Sequence, residues 1–162
     1  MAEVGNGKPG ATGDPLGDED IVMRFPVLQS RLDAISAAHF SPNSEEDAAA
    51  RVEGWLRLSV WAEHLISEAQ ALAQLKPARR AIIRLKVAEV RGIVAFGVHP
   101  LDVLWDRLPN CIDDQGLPLP GHTRGCEGHC GLTLRGEKSV WKEARRQLVV
   151  IASQNWHVYE GE

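Results

Sequence analysis

The stretch GHTRGCEGHCG, residues 121–131, places Cys126, His129 and Cys130 within five residues, with His122 just upstream and glycines at 125, 128 and 131. Thiolate and imidazole donors this close suit a metal ion. A structural zinc site takes four such ligands, often from two short-spaced groups. Cys126 and Cys130 form one group, and the interleaved glycines would let the backbone curl until both sulfurs meet one ion. Cys111, fifteen residues before Cys126, supplies a third ligand. His122 is the preferred fourth. His129 adjoins Cys130, and adjacent residues converge less readily on one centre. The expectation is one zinc ion held by Cys111, His122, Cys126 and Cys130, ordering a loop that has few apolar side chains of its own.

Other chemistry fits the same residues. Cys126 and Cys130 could form a redox pair, or the three cysteines could be ordinary loop thiols. An iron–sulfur cluster would usually want a fourth cysteine. If the ion kept an open position, Glu127 or Asp113 would handle protons in a metal-dependent hydrolase. The C-x3-C spacing differs from the common C-x2-C, and no H-E-x-x-H or deaminase motif occurs.

A second constellation is KPARRAIIRLKVAEVR, residues 76–91, with six basic residues against one acid, Glu89. Arg79, Arg80, Arg84 and Arg91 are the candidate contacts to nucleic-acid phosphates. The plainer reading is a solvated helix face. Glu89 falls among apolar positions of that helix and so calls for a salt-bridge partner. His64 and Glu68, one helical turn apart, resemble half of a metal site in a bundle, but an exposed polar face is the better explanation. Tryptophans 55, 61, 105, 141 and 156 read as core or interface anchors. No phosphate-binding glycine loop and no nucleophile elbow is present.

The elements that must position these groups read as helices. One is expected from about Pro26 to His39. The strongest runs from Ser44 to about Lys76, its apolar stripe including positions 48, 52, 55, 56, 62, 66, 69 and 73 if Ser59 is counted as a core residue. Pro77 opens a third, ending at Gly97, and a short fourth lies between Pro100 and Pro109. The last is SVWKEARRQLVVIASQNW, with Trp141, Ala144, Leu148, Ile151 and Ala152 on one face. Between the last two lies a long connection rich in glycine and proline, residues 109–136.

The whole chain sets the bounds. With 162 residues, 44% hydrophobic and 25% charged, it suits one soluble domain. The formal charge of −4 argues against nonspecific adhesion to nucleic acid. No apolar run approaches the roughly 18 residues of a membrane span. The N-terminus lacks the basic start and apolar core of a secretory signal, so a cytoplasmic location is expected. An odd number of cysteines fits a reducing compartment or a metal. The sequence thus predicts an all-α fold: a helical bundle of four to five helices over residues 21–162, behind a disordered tail, residues 1–20. The metal-binding loop 109–136 precedes the last helix. The expected role is a zinc-binding interaction or regulatory module with a protein partner or a second copy of itself, and without a membrane. A nucleic-acid-binding protein using residues 76–91 and a small metal-dependent enzyme using the loop are the alternatives.

Overall fold

In LDVLW, residues 101–105, Leu101, Val103 and Trp105 are buried while Asp102 and Leu104 are only partly so. A period of two marks a strand with one face on a core, and it recurs along the chain. A computed structural model describes residues 13–29, 34–42, 56–73, 75–106 and 128–161. Six strands form one antiparallel sheet, ordered β4-β5-β2-β1-β3-β6. They are β1 (Ile21–Arg24), β2 (Leu56–Ala62), β3 (Arg80–Lys86), β4 (Leu101–Trp105), β5 (His129–Leu134) and β6 (Trp156–Tyr159). The helices among the described residues are α1 (Glu68–Leu72), α2 (Val87–Arg91) and α3 (Lys138–Ala152), with a 3-10 turn at Ala37–Phe40.

The expected all-α helical bundle is overturned. The third expected helix is β3 followed by the short α2, the fourth is β4, and the second covers β2 and α1. Among its described residues, the first retains only the 3-10 turn. The error lay in the period. Apolar residues at i and i+4 satisfy both a helix and a strand, so the residue between them decides. In β2 the helical stripe needed Ser59 in the core, whereas the structure buries Leu58, Val60 and Ala62 and leaves Ser59 partly exposed on the other face. The isoleucines of RAIIRLK and the valine and tryptophan of LDVLW also suit a pleated surface better than a helix. The final helix covers most of the stretch expected for it, ending at Ala152 before Trp156 opens β6, because Ala144, Leu148 and Ala152 recur at helical spacing with no competing alternation.

Both sheet faces are covered. On one, Val60, Ile83, Leu85, Val103, Trp105 and Leu132 pack with Ala144, Leu148 and Ala152 of α3. On the other, Met23, Trp61 and Ile82 meet Phe25, which follows β1, and Ile66 and Ala71, before and within α1. Each fully buried leucine or isoleucine contributes roughly 2 kcal/mol. Residues 13–18, within the stretch expected to be a loose tail, lie along β4. The Gly13 N–H donates to the Trp105 carbonyl (2.8 Å), the Trp105 N–H to Asp14 (2.8 Å) and the Leu16 N–H to Val103 (3.1 Å). Leu16 is buried, and the segment shields what would otherwise be a bare sheet edge. Among the described residues no helix is long and apolar enough to cross a membrane.

One irregularity opens the sheet. β1 has four register pairs with β3, from Ile21↔Lys86 to Arg24↔Ile83, but only Val22↔Ala62 and Met23↔Trp61 with β2. Pro26, which has no N–H, follows closely. Beyond it the chain stays with β3: the Ala81 N–H donates to Pro26 (3.0 Å) and the Leu28 N–H to Arg79 (2.9 Å). β1 therefore parts from β2, and a wedge forms between them.

Candidate functional site

Arg24 closes the narrow end of this wedge. Its Nη1 donates to the Ser59 carbonyl on β2 (2.9 Å), its Nε to His39 (2.9 Å) and its Nη2 to Ser41 (3.3 Å). One guanidinium thus ties the 3-10 turn to a strand that β1 has left. Arg80, at the start of β3, enters from the opposite side. Its Nη1 donates to the Phe25 carbonyl (2.7 Å) and its Nη2 to Lys76 (2.9 Å). Arg80 is only 9% exposed, and no carboxylate pairs with it among the described residues. Burial lowers its pKa, yet an arginine so placed stays charged.

Between these groups lies a cavity of about 490 Å³. Phe25, Trp61 and Leu75 supply apolar wall, Arg24, Arg80, His39 and Ser59 line the polar part, and no acidic residue lines it among those described. The Ser36 N–H donates to His39 Nδ1 (3.0 Å). The ring proton therefore sits on Nε2, which remains a donor. Burial first, and then the charge of Arg24, lower the pKa of His39 and favour its neutral form. Two guanidiniums and the His39 ring line the wedge, together with aromatic side chains. Such a lining can hold an oxyanion.

The residues singled out in the sequence fall elsewhere. Cys111, His122 and Cys126, with Asp113 and Glu127, lie outside the described residues. Cys130 is in β5, opposite Val60 on one side and Trp105 on the other. Its side chain is fully buried on the face that α3 covers, and its Sγ donates to the Gly128 carbonyl (3.4 Å). Burial, followed by Asp106 and Asp20, pushes the thiol well above its ordinary range. His129 points to the opposite face, edge-on to Trp61 with ring centroids 4.9 Å apart, and its Nδ1 donates to the Asp106 carbonyl (2.7 Å). Strand alternation therefore separates the two neighbours. Among the described residues no three His, Cys, Asp or Glu side chains gather in a metal-binding group.

The arginines of residues 76–91 do not share a helix face. Arg79 pairs with Glu160 (3.3 Å). Arg84 pairs with Glu63 (2.7 Å) and with Glu68, and Arg91 with Asp102 (2.7 Å) and Asp18 (2.8 Å). Arg80 alone of these four turns into the cavity. Glu89 is exposed. His64 and Glu68 do not form a pair, since His64 approaches Asp20 (3.8 Å) while Glu68 meets Arg84 and His157. Trp61 and Trp105 are core residues, Trp141 and Trp156 are half-buried, and Trp55 lies outside the described residues.

Sequence reasoning missed Arg24 and His39. The available signal was an arginine inside the apolar run IVMRFPV, where a charge calls for a partner. No protein-family model matches the chain, and no curated protein or solved structure matches it either.

Proposed function

We propose that the protein is a binding module for a small organic anion, held in the wedge between β1 and β2. The observation that carries this reading is Arg80: a buried guanidinium without a carboxylate partner among the described residues, lining a cavity that presents further donors. A guanidinium fork matches the two oxygens of a carboxylate or phosphate. Trp61 and Phe25 add apolar wall beside it, so the favoured ligand joins an oxyanion to an apolar body. The cavity lies within the roughly 300–1,000 Å³ of small-molecule sites. Zinc stands apart from this reading. Three of its four expected ligands lie outside the described residues, and the Cys130 thiol faces the α3 core.

Calorimetric titration with a panel of aryl carboxylates, aryl phosphates and their neutral amides tests the proposal. At least one anionic class should bind while the matched amide does not, and the preferred class identifies the oxyanion. Arg80→Met should weaken that binding by about tenfold or more, the loss expected for a charge-assisted contact. Failure of every anion to bind, or equal affinity in Arg80→Met, would overturn it.

A further inference from the structure

A different surface, on the outer side of α3, carries an independent inference. Residues 94–98 form a tight hairpin in which Ala95 and Val98 exchange N–H···O bonds of 2.9 and 3.1 Å. The two residues at its tip, Phe96 (φ 51) and Gly97 (φ 81), both have positive φ. This is the geometry of a primed turn, which Asn-Gly adopts readily and a bulky aromatic does not. Phe96 is nonetheless 73% exposed, so burial does not explain its presence. A strained backbone residue that is also an exposed aromatic marks a site of contact better than a structural need.

The hairpin is held in place. Gln147 Nε2 donates to the Val94 carbonyl (2.6 Å) and to Glu143 Oε2 (2.8 Å), clamping the hairpin to α3. Between them lies a groove of about 650 Å³ whose apolar surface comes from Phe96, Val149 and Val150. Its charged wall is Lys142, Arg145 and Arg146, with Glu143 as the opposing charge. Glu143 is taken by Arg146 through two bonds of 2.9 and 2.8 Å. No carboxylate pairs with Lys142 or Arg145 among the described residues. Arg145 lies over the Trp141 ring (5.1 Å to its centroid) and donates from Nη1 to Ser41 Oγ (3.0 Å). Its Nε is buried and has no acceptor.

We infer that this groove docks an acidic amphipathic segment of a partner protein. The segment's apolar side chains would lie against Phe96 and Val150. Its carboxylates would reach Lys142 and the Arg145 guanidinium, which line the groove. An apolar groove with charge on its rim is the arrangement that receives an amphipathic helix, and the unmatched positive charge fixes the sign of the partner.

Selection of random peptides displayed on phage tests this, with the intact protein as bait and Phe96→Asn for counter-selection. Asparagine suits positive φ, so this variant should keep its unfolding midpoint while losing the contact. Enriched peptides should carry Asp or Glu among apolar residues at helical spacing. Synthetic copies should bind about tenfold or more weakly to Phe96→Asn and to Arg145→Glu, as for contacts at the centre of an interface. Their binding to the wild-type protein should also weaken with salt. Enrichment of basic or uncharged sequences, or none beyond the counter-selection, would overturn the inference. Self-association of the wild-type protein that Phe96→Asn abolishes would also overturn it, making the occupant a second copy of this chain.

Discussion

Gly128 precedes β5 at the end of the cysteine–histidine stretch, and its replacement separates two accounts of that stretch. In the sequence reading, the glycines let the backbone curl around an ion. In the structure, a Cβ at position 128 would lie 2.7 Å from Ile66 Cγ2 and 3.1 Å from Ile66 Cβ. Ile66 is 2% exposed and branched at Cβ, so it cannot swing aside. Overpacking of this kind costs about 1–3 kcal/mol. A stiffer unfolded chain returns about 0.4–1 kcal/mol, leaving Gly128→Ala roughly 1–2 kcal/mol less stable. For a domain of this size the Tm should fall by about 2–8 °C. Ile66→Ala alone should cost about 2–5 kcal/mol through its cavity. In that background the 2.7 Å clash is gone and only the 3.1 Å approach to the Cβ of residue 66 remains, so Gly128→Ala should become close to neutral. The four proteins of this cycle, compared by reversible urea or thermal unfolding, should show a coupling of about 1–2 kcal/mol, above the roughly 0.5 kcal/mol scatter of independent sites. An equal cost of Gly128→Ala in both backgrounds would refute the packing account. A cost that a chelator removes, and that Ile66→Ala leaves alone, would point back to a metal-shaped loop.

Deleting residues 1–18 should cost about 3 kcal/mol, from the burial of Leu16 and its hydrogen bonds to β4; an unchanged unfolding midpoint would show that the segment does not dock. With Cys111 and Cys126 replaced by serine, Cys130 should react with thiol reagents only as the protein unfolds, because its thiol is buried and its pKa raised. Rapid labelling of the folded protein would contradict that placement. If elemental analysis finds zinc, Cys130→Ala should retain it, since the sulfur faces the core; loss of zinc would restore Cys130 as a ligand. His39 has a folded-state pKa below its ordinary 6.5, so just below pH 6.5 the unfolded chain binds more protons than the folded one. Stability from this group is complete above pH 6.5 and declines as the pH falls towards the folded value. The urea midpoint should follow, and His39→Gln should flatten the slope; a midpoint that rises on acidification, and does so only when His39 is present, would reverse the assignment.

The helix α3 was legible because its apolar spacing is local and unambiguous. The sheet was not, for a reason found in its connections. No two paired strands are joined by a tight turn: β1 pairs with β2 and β3, β2 with β5, β3 with β6, and β4 with β5 across residues 106–128. The Asn-Gly or Asp-Gly punctuation that reveals hairpins therefore had no place to appear between them. Short strands such as RAIIRLK and LDVLW then read as helix fragments. The wedge was less legible still. It depends on how far β1 follows each neighbour, which is a property of register and not of any one segment. Arg80 stood out from sequence as a cation, but its burial followed only from the strand. Cys130 stood out as a thiol, and alternation within β5 turned it into the core.

The same connections bear on how the chain is made. β1 joins the block β4-β5-β2 to the block β3-β6, and each block needs a strand from the last third of the sequence. As the chain leaves the ribosome, β2 and β3 can meet β1, but β2 waits for β5 and β3 for β6. The helix that covers one face also comes late. Closure is then a single late event among distant segments, which slows folding. Until it happens, the nascent protein displays two open strand edges and half a core. That is the period in which a misplaced strand from a neighbouring chain could take β5's position.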